Sequence, residues 1–354
     1  MSLSVKNHFE KARRAGLFGA AEVLVATRGD VVLHEKCGLS SGQKYFDLSS
    51  LTKPLAMGLV CLKAFEEGRL SPDDLISDFF PTKTLSGTTV GELLNHTAPL
   101  IDWHDFARPY LRQVAPDSSR NTARILRKIL TDSKLTRLGG RTLYSDLGYI
   151  VVGEILKKQY GKNLDRIVHD KVTGLLGLDK DLFYAPLGRR RTRPSKGFVA
   201  SETCVRRKRL IQGEVMDENS WVMGGVSGHA GLFGTALGIH GILAELSWAS
   251  LGKSRYFSRA AFEIFCQPDP KRKFSERKFT FGFDTPTRPG SQSGKYFSKE
   301  TIGHLGFSGT SFWWDMKQDL WIILLTNRCL FGRAKGEFSK WRPRFHDELM
   351  KQFI

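Results

Sequence analysis

The chain is short of cysteine and of every spacing that holds a metal. Its five cysteines, Cys37, Cys61, Cys204, Cys266 and Cys329, lie far apart and are odd in number. That excludes a disulfide framework and reads as buried or free thiols in a reducing compartment. Neither His-Glu-x-x-His nor Cys-x-x-Cys occurs and the nine histidines are dispersed, so no metal and no cofactor is expected. A Gly-rich lysine loop for phosphate is missing as well. Neither Gly225-Val226-Ser227-Gly228-His229 nor Gly306-Phe307-Ser308-Gly309-Thr310 completes a Gly-x-Ser-x-Gly elbow. No apolar run approaches the ~18 residues of a membrane span. The stretch Leu17 to Ala26, broken by Glu22, lacks the shape of a signal peptide. A cytoplasmic location is expected, or a periplasmic one if a leader has been lost.

Acidic residues are also scarce. Asp and Glu number 36 against 54 Lys and Arg, a net charge of +18, so acidic partners come into consideration. The excess falls in clusters: Lys157/Lys158/Lys162, Arg189/Arg190/Arg191/Arg193/Lys196, Arg206/Arg207/Lys208/Arg209 and Lys271/Arg272/Lys273/Arg277/Lys278. No helix-turn-helix, zinc finger or aromatic-basic motif accompanies them, so they read as solvated loops and nucleic acid is not an expected partner. With 354 residues and 41% hydrophobic content the chain can bury a sizeable core. No motif speaks to oligomeric state.

What is present centres on Phe46 to Phe65. Ser49 or Ser50 suits an N-cap and Pro54 a first helical turn, while Leu55, Leu59, Leu62 and Phe65 recur at helical spacing. A helix starting at the serines puts Ser50 and Lys53 on one face, amine near hydroxyl. A serine needs such a base, and amide donors for the oxyanion it creates. Ser-x-x-Lys by itself is weak, for it also occurs at Ser41/Lys44, Ser250/Lys253 and Ser275/Lys278. Only Ser50 opens a long apolar helix.

Two further segments give that pair its context. Tyr144-Ser145-Asp146 follows downstream, and Gly303-His304-Leu305-Gly306-Phe307-Ser308-Gly309-Thr310 lies near the end. Together with Phe46 to Ala56 they resemble, in order and rough spacing, the three motifs of the serine β-lactamase and penicillin-binding-protein superfamily. The likeness is to its class C β-lactamase-like branch of esterases, D-amino-acid peptidases and muramyl amidases. The Leu93 to Thr97 segment resembles that branch too, with Ala98-Pro99 in place of its Ser-Gly. So does Gly213 to Phe233, where Met216 replaces a histidine and Asp217 and His229 read as loop-fixing residues.

The resemblance implies a nucleophile, Ser50, with Lys53 and Tyr144 as its base system, the lysine lowering the pKa of the phenol. It implies an oxyanion hole from the backbone N–H groups of Ser50 and Phe307. His304 takes the cationic third-motif position, and Asp146, Leu305, Gly306 and His96 join it as substrate-binding residues. Small esters or muropeptides are the substrates implied. A β-lactamase or D-alanyl carboxypeptidase is the alternative, against which stand Asp146 in place of asparagine and His304-Leu305 in place of lysine-threonine. A non-catalytic module with a basic binding surface is the third reading.

Secondary-structure signals run along the chain in the same sense. Val5 to Ala15 reads as an amphipathic helix, residues 21–27 and 31–35 as a hairpin around Arg28-Gly29-Asp30, and Ser71 to Asp74 as a turn. Thr122–Leu135 reads as a basic helix broken by Gly139-Gly140, and residues 103–122 as an aromatic and polar loop beside the cleft or over the core. Residues 186–212 read as a surface excursion. Strands are expected at 279–283, 301–306, 310–316 and 320–327, then a helix over 344–353. Strands at both ends with helices between predict an α/β (α+β) protein of β-lactamase/transpeptidase type. Its N- and C-terminal strands join one antiparallel sheet flanked by helices. One catalytic domain is expected, an α/β lobe (about 1–55 and 265–354) with a helical lobe (about 56–264) inserted.

Overall fold

The computed structural model describes residues 2–111, 118–138, 141–188, 196–334 and 336–354. Its central sheet is assembled from both ends of the chain. Strands β1 (Ala21–Thr27) and β2 (Asp30–Cys37) meet at Arg28-Gly29, both with positive φ as a tight primed turn requires. Three short pairings lie away from this sheet: β3 (Phe46–Asp47), β4 (Leu182–Tyr184) and β7 (Leu232–Gly234) form one small sheet, and β5 (Glu202–Cys204) and β6 (Arg209–Ile211) a hairpin. The meander β8 (Thr301–Leu305), β9 (Ser311–Asp315) and β10 (Leu320–Thr326) then returns to the main sheet. Its order is β2-β1-β10-β9-β8, antiparallel throughout, with Ala21 opposite Thr326.

Both faces of this sheet are covered, which is why β10 reads as the unbroken apolar run Leu320 to Leu325. Alternate residues serve opposite cores. Trp321, Ile323 and Leu325 pack with the helices of the long middle segment. Ile322 and Leu324 pack under the terminal helices Ser2–Arg14 and Gly336–Phe353, where Phe9 and Phe345 meet at 5.1 Å between ring centroids. The helix after Ser50, Leu59–Glu66, is buried on nearly every side, so its apolar residues exceed the stripe a surface helix needs.

Several local expectations need correction. Neither serine caps the Ser50 helix: Ser49 takes φ +49°, its N–H donates to Asp47 Oδ1 at 2.8 Å, and a 3-10 turn followed by a π turn (Lys53–Gly58) precedes the α-helix. Residues 279–283 form no strand but a single bridge, Phe279 to Asp284. The basic helix runs Ser118–Thr131, starting earlier than its periodicity suggested, and the last helix begins at Gly336. The excursion 186–212 carries the β5–β6 hairpin. Not all of its basic residues are solvated: the Arg207 side chain is 2% exposed and donates to the Val215 and Met216 carbonyls. Arg272 is equally buried, on the Pro286 and Lys299 carbonyls. Arg189 to Arg193, Gly139-Gly140 and part of the aromatic loop lie outside the described residues. Among the described residues no helix is long and apolar enough to cross a membrane.

Candidate active site

Asp47 and the corner between β8 and β9 build the turn that presents Ser50. The Asp47 carboxylate is fully buried, taking the Ser49 N–H on one oxygen and the Met216 N–H, at 2.7 Å, on the other. Burial pushes its pKa up to about 6 despite those two donors. From the other side Ser308 Oγ donates to the Asp47 carbonyl at 2.8 Å, and Thr310 Oγ1 to the Leu48 carbonyl at 3.2 Å. Gly306 is required at this contact, because a Cβ there would lie 2.0 Å from Thr310 Oγ1 and 2.8 Å from the Leu48 oxygen. The third motif is thereby stitched to the first, and Ser50 opens into a cavity of about 660 Å³.

Lys53 lies beneath that opening with no solvent exposure. Its amine donates to Ser50 Oγ at 3.1 Å, to Asp146 Oδ1 at 2.7 Å and to the His229 carbonyl at 3.2 Å. Three N–H groups with three acceptors is the pattern of an ammonium, not of a free amine. Burial pulls its pKa down, but Asp146 and then Tyr144 outweigh it, and the value stands above the ordinary lysine range. The glycine-rich loop supplies the third acceptor: a Cβ at Gly228 would sit 1.9 Å from the Tyr149 carbonyl, so only glycine lets the loop press onto helix Asp146–Tyr160. His229 is held there by Asp217, at 2.9 Å, and by Ser227, at 2.8 Å. That hydrogen-bonded bracket is the loop-fixing role read from the sequence. Burial pulls the Asp217 carboxyl up, but His229 and the Ser220 N–H outweigh it and hold the value at about 2.

Tyr144 arrives from the loop before that helix, its ring 4.7 Å from the Lys53 amine. Ser50 and Lys53 both draw the phenol pKa down, yet neither stands in line for a full hydrogen bond, and the buried hydroxyl has no partner among the described residues. Burial dominates and the Asp146 charge adds to it, so the phenol is raised above its usual value. Lys53 does draw the phenol down, as expected, but burial and the Asp146 carboxylate outweigh it and the net shift is upward.

The remaining sequence candidates divide. Asp146, Leu305, Gly306, Phe307 and His304 all line the cavity with Ser50 and Tyr144. Asp146 is first a partner of Lys53. His304 is not cationic: burial, with Lys53 and Arg277 nearby, drives its pKa well below the usual imidazole value. Its Nδ1 faces the Leu305 carbonyl at 2.9 Å and so carries the hydrogen, leaving Nε2 as an unprotonated, buried acceptor with no partner among the described residues. His96 stands behind the cavity wall. It lies tilted against Tyr144, 4.6 Å between ring centroids, and accepts the Ser145 N–H on Nδ1, so it braces the tyrosine from outside the cavity lining.

Arginines were the residues the sequence reading missed. Arg277, read as part of a solvated cluster, reaches back to Asp284 at 3.3 Å and over Phe279 at the cavity rim. Arg328, Arg333 and Arg342 line the same cavity, Arg328 and Arg342 on either side of Phe338. Their spacing, outside any cluster, gave no signal. Glu202, Cys204 and Glu218 come within 4.8 Å of one another, a set that includes metal-ligand types. Arg333 already lies between the two carboxylates, at 2.7 and 2.8 Å.

The beta-lactamase family description matches residues 5–336 of the chain. The chain belongs to the beta-lactamase family. It is 30% identical over 315 residues to the N-acetylmuramyl-L-alanine amidase of Bacillus subtilis (strain 168), covering 80% of this chain and 68% of that one. It is 27% identical over 336 residues to an Escherichia coli O157:H7 protein provisionally named a D-alanyl-D-alanine carboxypeptidase, covering 85% and 72%. The solved class C beta lactamase of Rhodobacter sphaeroides superposes with a TM-score of 0.69 over 99% of this chain and 100% of that one at 15% identity, a likeness of fold. Serine hydrolysis is thus the chemistry at the level of this family.

Proposed function

We propose that the chain is a single catalytic unit, a serine hydrolase that cleaves ester or amide bonds through an acyl-enzyme on Ser50, acting on muropeptides or small esters. The observation that carries this reading is the Lys53 amine, fully buried and held by three acceptors, one of which is Ser50 Oγ. A buried lysine with no role would cost several kcal/mol to desolvate for nothing. Ser50 Oγ attacks the carbonyl carbon. Its proton passes to the Lys53–Tyr144 pair, one of which has first released its resting proton to solvent, and from there to the leaving group. The backbone N–H groups of Ser50 and Phe307 hold the oxyanion, a contribution of ~3 to 4 kcal/mol per donor. Water then releases the acyl group and Ser50 regains its proton. The two curated relatives support the muropeptide side by their names alone.

β-Lactam turnover is expected to be feeble, because Leu305 offers no hydroxyl where a threonine would donate to the lactam carboxylate. A fluorophosphonate probe tests the reading directly. Wild-type protein is labelled and Ser50→Ala is not; a wild type that resists the probe favours a binding module instead. A panel of p-nitrophenyl esters, nitrocefin and muropeptides then ranks the substrates.

A further inference from the structure

Two guanidinium groups that line the cavity meet no carboxylate among the described residues. Arg328 is 5% exposed and Arg342 7%, and neither forms an ion pair among the described residues. Arg328 donates only to carbonyls: Phe307, and at 3.1 and 3.0 Å those of Arg333 and Ala334. Arg342 donates Nη2 to Gln292 Oε1 at 2.8 Å, while its buried Nε has no partner among the described residues. Both flank the same ring, Phe338, at 5.9 and 5.4 Å. Burial first, and then the like charge of Arg328, press the Arg342 pKa down to about 9, and a guanidinium keeps its proton at neutral pH.

The scaffold around Arg342 is built to hold it without neutralising it. Pro343 interrupts the last helix and has no N–H for the Ser339 carbonyl one turn back. Gln292 Nε2 takes that carbonyl at 3.1 Å, which turns its amide oxygen toward Arg342. A neutral amide stands where a carboxylate would have cancelled the charge. The other lysine and arginine side chains at the cavity each meet a carboxylate: Lys53 meets Asp146, Arg277 meets Asp284, and Arg333 meets both Glu202 and Glu218. Arg328 and Arg342 are the two left without a carboxylate among the described residues, and both flank Phe338.

We propose that Arg328 and Arg342, with Gln292 and Ser339, form a subsite for a doubly charged oxyanion, of phosphate-monoester type, carried by the acyl donor whose carbonyl meets Ser50. A dianion matches the two surplus charges where a monocarboxylate leaves one over, and a guanidinium suits phosphate oxygens by its fork of donors. The substrate side of this inference rests on the hydrolase reading above; the subsite itself does not.

The test has two arms on the full chain. Binding of inorganic phosphate is measured by calorimetric titration of the wild type, Ser50→Ala, Arg342→Gln and Ser339→Asp. The last sets a carboxylate on a half-exposed helix position, so it reports even if Arg342→Gln fails to fold. Wild type and Ser50→Ala bind phosphate alike, and either subsite variant weakens binding by about tenfold or more. No binding by wild type, or equal binding by Ser339→Asp, overturns the subsite. In the second arm, kcat/KM is compared between 4-nitrophenyl 3-phosphonopropionate and 4-nitrophenyl butyrate. Wild type favours the phosphonate and Ser339→Asp loses the preference. Phosphate binding without that preference assigns the subsite to free phosphate and overturns its place in substrate recognition. Phosphate binding by a wild type that hydrolyses neither ester refutes the hydrolase reading and leaves the subsite standing.

Discussion

Beside Ser50 the buried Lys53 has an opposite charge within reach, Asp146 at 2.7 Å, and the ammonium spends all three hydrogens on fixed acceptors. Around Phe338, in another part of the lining, Arg328 and Arg342 crowd one phenyl ring with carbonyls and an amide for company. The first arrangement stabilises the empty protein and keeps a proton in store. The second leaves two like charges facing each other, which the proposed dianion would relieve. A cleft that balances charge where bonds would be made, and withholds balance where a ligand would be gripped, separates the two tasks in space.

The strongest test removes the hydroxyl. Ser50→Ala is expected to cut ester hydrolysis by about 10⁴-fold or more, since a nucleophile has no substitute, while leaving the melting curve nearly unchanged. Next comes the lysine: Lys53→Met abolishes probe labelling and also leaves Asp146 facing a buried apolar chain, at a cost of about 3 kcal/mol in urea unfolding. Adding Asp146→Asn to it should restore most of that stability and none of the activity. If the double variant is no more stable than the single, the pairing described for Lys53 is wrong.

Asp146→Asn alone is a subtler probe. Asp146 raises both Lys53 and Tyr144, and catalysis needs one of them deprotonated. The rate therefore climbs with pH on the alkaline side, and in Asp146→Asn that climb begins at lower pH, read from kcat/KM profiles. The stability sign agrees: Lys53 is raised on folding, so the pair's contribution is complete below lysine's ordinary value of about 10.4 and fades as pH rises through the folded value. The smallest effect belongs to the pair around Phe338. Arg342→Met should cost under about 1 kcal/mol or even stabilise, because it relieves Arg328 of a like charge. A loss as large as that of Lys53→Met would erase the contrast between the two regions.

Much of this was legible in the residues. The three motifs, the Arg28-Gly29 hairpin, the β8–β10 meander and their union in one sheet all follow from local pattern and order. So does the pairing of Asp217 with His229 in a loop crowded by glycine. Less legible was the Ser50 turn itself. Its φ at Ser49 and its brace, Asp47, answer to groups at Met216 and Ser308 that lie more than 160 positions away. The strand expected at 279–283 failed for a similar reason: an apolar run there serves the cavity wall, through Phe279 against His96, and not a ladder.

Sequence by itself determined which elements form and which side chains could do chemistry, because periodicity, turn residues and motif order are properties of neighbours along the chain. Only the tertiary structure decided the charge states. Whether Lys53 holds its proton, whether His304 is neutral and whether Arg342 meets an acid depend on what lies within a few ångströms through space. There burial and Coulomb forces act without regard to position in the text.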